Sequence, residues 1–171
     1  MKKNIVLVGF MGTGKTTVAR ILAQKLKRQF VDLDDIIENG EGRTIADIFR
    51  EKGQAYFRKI EKDAVCAVSK NTGMIIACGG GVVLDSENVS RLKDKGVMIC
   101  LTATAEVISE RTKSFSHRPL LNTDEAKTKI EELLKARKAD YAKADHTIDT
   151  SSLTVEQVAE KILKAAGEKK K

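Results

Sequence analysis

Residues 9–16 read Gly9-Phe10-Met11-Gly12-Thr13-Gly14-Lys15-Thr16, the spacing G-x-x-x-x-G-K-[ST]. Directly before them lies the short apolar run Ile5 to Val8, and after them Val18 to Leu26 carry apolar residues at helical spacing. A strand, a glycine-rich loop and a helix in that order form a phosphate cradle. Glycines allow successive backbone N–H groups to converge on an anion, and the helix that follows adds its positive end. Lys15 is placed to reach the outer phosphates, and the Thr16 hydroxyl to hold Mg²⁺. Gly12, Thr13, Gly14, Lys15, Thr16 and Thr17 are therefore the candidate nucleotide-binding residues. A plain glycine turn with a surface lysine is the bland alternative, and the flanking strand and helix weigh against it.

Working outward, short apolar runs recur at Phe30 and Val31, Met74 to Ala77, Val97 to Leu101, and Thr147 and Ile148. Between them lie longer stretches of three-to-four spacing at Ile45 to Phe49, Phe57 to Val68, Val89 to Leu92, Val107 and Ile108, Ile130 to Leu134, and Val155 to Leu163. Strand and helix in alternation predict an α/β fold, a parallel sheet with helices on both faces. Thr44 with Asp47, and Thr154, have the look of helix N-caps. Residues 112–122 lapse into polar residues and hold the only proline, Pro119, which predicts a mobile lid.

Length and composition narrow the choices. The chain has 171 residues, one domain at about 150 residues per domain. We expect that domain over 1–167 and a basic tail over 168–171. The 31 basic against 24 acidic residues leave +7, compatible with nucleic acid, anionic lipid or small polyanions. Part of that excess is Lys169, Lys170 and Lys171, and aromatics for base stacking amount to only 4%. Nucleic acid and membrane partners are accordingly not expected. Cys66, Cys78 and Cys100 are odd in number and sit among apolar residues, which suggests buried thiols, a reducing compartment and a cytoplasmic location. No apolar run approaches the roughly 20 residues of a membrane-spanning helix. His117 and His146 are isolated, and no nucleophilic triad or metal cluster is evident.

The guanine-reading N-K-x-D of GTPases is absent, and motors or recombinases need a longer chain. The acidic residues that directly follow an early hydrophobic strand are Asp32 and Asp34, in Phe30-Val31-Asp32-Leu33-Asp34-Asp35. A small kinase remains. Asp32, nearer the strand, suits the Mg²⁺ shell through water. Asp34 suits an acceptor hydroxyl, unless it merely favours a helix N-terminus.

Taken together, the loop above, Asp32-Leu33-Asp34, Phe57-Arg58-Lys59-Ile60-Glu61, Cys78-Gly79-Gly80-Gly81-Val82-Val83 and Arg118-Pro119-Leu120-Leu121 resemble the shikimate kinase family. The resemblance runs in order through Arg137 to Tyr141. It implies a three-layer P-loop kinase fold with a five-stranded sheet in order 2-3-1-4-5, and a shikimate-binding region over about 33–61. The implied activity is transfer of the ATP γ-phosphate to the shikimate 3-hydroxyl, on the way to chorismate and the aromatic amino acids. The implied cosubstrate and metal are ATP and Mg²⁺, and a monomer is expected. Cys78 stands where a small or hydroxyl residue is common in the family, and Thr112 to His117 spell the lid unusually.

Each remaining candidate has two readings. Glu61, three residues after Arg58, is an ordinary i,i+3 partner or the group that aims the Arg58 fork at a substrate carboxylate. Arg137 returns to the apolar stripe of its helix, so it needs an anion, either an internal carboxylate or, as the family implies, the shikimate carboxylate. Gly79, Gly80 and Gly81 form a flexible connection or let backbone approach a ligand. Phe49 and Phe57 are core residues or the family's apolar wall beside the ring. The resemblance makes Arg118 the lid arginine that stabilises the γ-phosphate, and Arg111 the residue stacked on adenine. Rivals are a gluconate kinase of similar fold and a non-catalytic ATP-binding or nucleic-acid-binding module.

Overall fold

The computed structural model describes residues 2–113 and 125–168. Five strands, β1 (Asn4–Gly9), β2 (Phe30–Asp32), β3 (Ile75–Ala77), β4 (Gly96–Thr102) and β5 (His146–Asp149), form one parallel sheet in the order β2-β3-β1-β4-β5. Each apolar run in the sequence is a strand, and the order agrees with the family expectation.

Strand β1 explains why the sheet is covered twice. Ile5 and Leu7 point to one side, Val6 and Val8 to the other, and all are buried, as the period-2 alternation of a central strand requires. On the first side they meet Val18, Leu22, Ala159 and Ile162 of helices α1 (Lys15–Leu26) and α7 (Val155–Ala165). The second side is larger. It takes in α2 (Leu33–Glu41), α3 (Ile45–Val68), α4 (Ser86–Asp94), α5 (Ala105–Thr112) and α6 (Glu125–Tyr141), through residues such as Ile37, Val65, Leu92, Ile108 and Ile130.

The helix ends follow local chemistry. Thr154 and Gln157 complete a capping box on α7. On α3 the box is half made: the Thr44 hydroxyl accepts from the Asp47 N–H at 3.2 Å and donates to the Asp47 carboxylate at 2.7 Å. The two periodic stretches at Ile45 to Phe49 and Phe57 to Val68 run on as one helical span, interrupted at Gly53, whose φ of 79° and ψ of 175° are non-helical. Its first half carries Ile48 and Phe49, its second Phe57, Arg58 and Glu61. A short 3₁₀ turn at Val82–Leu84, for which the sequence holds no periodic signal, follows the three glycines. Cys66, Cys78 and Cys100 are free thiols; Cys78 and Cys100 are buried as expected, whereas Cys66, on α3, is only partly buried. Among the described residues, no helix is long and apolar enough to cross a membrane.

Candidate active site

In a parallel sheet all strands deliver their carboxyl ends to one edge, where ligands bind. Here that edge gathers the end of β1 with the loop 9–14, the end of β2 with Asp32, and the end of β3 with the glycines. Gly9 adopts φ 137° because the chain turns against β4: a methyl group there would lie 2.2 Å from the Leu101 carbonyl oxygen. Gly12 and Gly14 also have positive φ, 76° and 91°.

The start of α1 differs from its neighbours. Helices α2, α3, α4, α5 and α7 each have a side-chain cap, from Asp32, Thr44, Asp85, Thr104 and Thr154. Helix α1 is capped by Gly14 with no side-chain hydrogen bond and has no acidic residue in its first turn. A helix start of this kind, with its positive end and no side-chain cap over it, suits an anion. The Lys15 ammonium arches back over the loop and donates to the Gly9 and Phe10 carbonyls, each at 2.9 Å. Buried Thr13 ties the loop down by donating to the Phe10 carbonyl at 2.7 Å.

Beside Lys15, the Thr16 hydroxyl donates to Asp32 at 2.9 Å. The other Asp32 oxygen caps α2 by accepting from the Asp34 N–H at 3.0 Å, which fixes the carboxylate from both sides. A hydroxyl and a carboxylate side by side are hard oxygen donors that suit Mg²⁺ with most of its waters retained. Thr17 is exposed next to them.

Across the cleft, a methyl group on Gly79 would lie 2.9 Å from one Asp34 carboxylate oxygen and 3.3 Å from one of Glu61. One on Gly81 would lie 2.3 Å from an Arg58 guanidinium nitrogen. Close approach, not flexibility, is what these glycines provide. Arg58 donates to Glu61 at 2.6 Å. Glu61 is almost fully buried, and burial raises its pKa above the usual glutamate value, with Arg58 opposing that rise and the Asp34 and Asp85 charges adding to it. Phe57 is buried and part of the hydrophobic core, and Phe49 is exposed beside it, their rings 4.6 Å apart.

Arg137, half-buried on α6, lies over the Phe10 ring and makes a long 3.5 Å contact to the Gly80 carbonyl. Among the described residues it makes no ion pair. Arg111 proves to be a brace: it donates to the Gly12 carbonyl at 3.3 Å, to the Thr150 hydroxyl at 3.0 Å and to the Thr150 carbonyl at 3.0 Å. Two contacts escaped the sequence reading, the Thr150 anchor and a 2.7 Å hydrogen bond from the Tyr141 hydroxyl to the Gly80 carbonyl. Neither has a sequence signal, since both depend on how distant elements meet. Arg118 and most of the lid lie outside the described residues.

A helix start with no side-chain cap behind a phosphate-binding loop, on this sheet order and facing a second cluster of arginine and carboxylate groups, defines a P-loop kinase of small molecules. The sequence profile of the shikimate kinase family matches residues 11–166. A shikimate kinase of Thermodesulfovibrio yellowstonii is 49% identical over 162 residues, 95% of this chain and 94% of that protein. One of Caldanaerobacter subterraneus is 46% identical over 95% of each chain. Among solved structures, shikimate kinase from Acinetobacter baumannii in complex with shikimate superposes with a TM-score of 0.90 at 37% identity, covering 96% of this chain and 92% of that one. The chain belongs to the shikimate kinase family and functions as an ATP-dependent shikimate kinase.

Proposed function

We propose that the two halves of the edge divide the reaction between them, the loop side holding ATP and the glycine side holding shikimate. Lys15 and the backbone N–H groups of residues 12–17 bind the β- and γ-phosphates. Thr16 and Asp32 would hold Mg²⁺, which when bound neutralises charge shared between those phosphates. Arg58, aimed by Glu61, and Arg137 grip the shikimate carboxylate; Gly79 to Gly81 bring backbone against the ring, with Phe49 and Phe57 as its apolar wall. Arg111 braces the loop and offers its guanidinium face to adenine, and Arg118 stabilises the transferred group.

Asp34 accepts a hydrogen bond from the shikimate 3-hydroxyl and aims its oxygen at the γ-phosphorus. The bond from phosphorus to the β–γ bridging oxygen breaks, ADP leaves with that electron pair, and the 3-oxygen gains the phosphoryl group and loses its proton to Asp34. Phosphoryl transfer is loose, so alignment contributes more than early proton removal. A monomeric, cytoplasmic enzyme is the accompanying expectation.

The observation that carries this reading is the convergence of Asp34 and Glu61 on Gly79 and of Arg58 on Gly81. It is tested by coupled ADP release with ATP, Mg²⁺ and a panel of shikimate, gluconate and nucleoside monophosphates. Turnover with shikimate is the expected result. Turnover with gluconate but not shikimate would overturn the assignment of the acceptor half.

A further inference from the structure

The Gly80 carbonyl is the meeting point of α6 and the glycine turn. Tyr141 is buried, and its hydroxyl donates to that oxygen at 2.7 Å, while Arg137, one helical turn earlier, reaches the same oxygen only at 3.5 Å. Asp140, the carboxylate an i,i+3 partner of Arg137 would use, is paired instead with Lys143 at 2.7 Å. Lys143, two residues past the end of α6, also reaches the Val83 carbonyl at 3.5 Å. Burial raises the Tyr141 pKa, and the Arg137 guanidinium, hydrogen-bonded to the phenol oxygen, opposes that rise; the phenol thus accepts from Arg137 while it donates to Gly80.

A carbonyl partly withdrawn from water costs free energy while unpaired, which makes the Gly80 oxygen a competitor for any nearby donor. We infer that Tyr141 is a positioning residue: by satisfying the Gly80 carbonyl it fixes the glycine turn and keeps that oxygen from capturing the Arg137 guanidinium, which the phenol holds for the acceptor carboxylate. The inference rests on the reading of Arg137 given above. Without the phenol, Gly80 draws Arg137 into a full hydrogen bond, and the acceptor must break that bond to bind.

The test compares the full chain with Tyr141→Phe, Arg137→Ala and the double variant, with thermal melting to confirm folding. Tyr141→Phe should raise the shikimate KM by roughly three- to tenfold, the loss of one hydrogen bond, with kcat and the ATP KM within about twofold. In the Arg137→Ala background the same change should add less than about twofold. Equal factors in both backgrounds, an unchanged shikimate KM, or equal rises for both substrates would overturn the inference. If Arg137→Ala alone leaves the shikimate KM unchanged, the carboxylate grip itself is rejected, and the inference falls with it.

A second measurement does not depend on Tyr141→Phe folding. The chain has two tyrosines, so Tyr56→Phe protein labelled with 3-fluorotyrosine gives one ¹⁹F resonance, from Tyr141. Shikimate should shift it and ADP should not. A resonance unmoved by shikimate, or moved equally by ADP, would overturn the inference.

Discussion

The phosphate-donor half and the acceptor half of the site are built by opposite means. The donor half is one contiguous stretch, residues 9–16, and works mainly through backbone: positive-φ glycines, a helix start with no side-chain cap and carbonyls held by Lys15. The acceptor half is assembled from side chains on α2, α3 and α6 around the turn after β3. The glycines show the difference most plainly. A methyl group at Gly9 would strike a backbone carbonyl of the neighbouring strand, which cannot yield; one at Gly81 would strike the end of an arginine, which can. Errors in the donor half should therefore reach the fold or all turnover, and errors in the acceptor half should reach one substrate.

Gly9→Ala should do the most damage, about 4 kcal/mol of stability or more, because it combines backbone overlap with a left-handed φ. A melting temperature within a few degrees of the parent chain would break the contrast at its root. Lys15→Met should keep the fold and lose about 10²–10³ in kcat, as for other preorganised contacts to developing charge. Near-parental turnover would remove Lys15 from the phosphate site.

In the acceptor half, Asp34→Asn should lose about 10² in kcat with the ATP KM nearly unchanged, and Asp34→Ala clearly more. Equal losses in the two variants, measured side by side, would replace alignment by proton abstraction as its role. Gly81→Ala should raise the shikimate KM by about tenfold, the displacement of one charged grip, with melting temperature and ATP KM almost unmoved. A comparable rise in both KM values would erase the division of labour.

The smallest effect concerns pH. Burial holds the Glu61 pKa above the ordinary glutamate value. The folded state thus takes up a proton there sooner, on the way down, than the unfolded chain does. Stability from this group is full at low pH and declines as pH rises through the raised pKa. Arg58 positioning has the opposite sense, since only ionised Glu61 pairs with it. Shikimate affinity, measured by calorimetry without nucleotide, should fall several-fold as pH drops through that raised pKa. The decline should begin above the ordinary glutamate range, and Glu61→Gln should flatten it. A decline confined to that ordinary range would leave Glu61 outside the binding step.

The same contrast decides how much was legible in the sequence. Residues 9–16 carry their geometry in their spacing, so the loop, the strand before it and the helix after it could be read directly. The strand order could not, because alternation fixes what lies next to what along the chain and not across the sheet; it came from the family resemblance. Arg58 and Glu61 share a helix face and could be paired by spacing. That Asp34 and Glu61 meet at Gly79, or that Tyr141 reaches Gly80, depends on how α2, α3 and α6 pack on the sheet, and no local pattern records it. Arg111 was read through one resemblance-based role, while its three hydrogen bonds to Gly12 and Thr150 arise from the meeting of three separated segments.

Gly53 interrupts α3 at φ 79° and ψ 175°, yet among the described residues nothing lies within 4 Å of the place a methyl group would take. What guards this position is handedness, not volume. L-alanine would be forced into a region that L-residues avoid, at about 1–3 kcal/mol. D-alanine, whose preferred angles are the mirror image, would sit there unstrained and would stiffen the unfolded chain, a gain of about 0.4–1 kcal/mol. The break between the Phe49 half and the Arg58 half of the helix is thus a chiral requirement in an open space, and a single D-residue made by semisynthesis would keep the bend while removing the freedom that glycine brings.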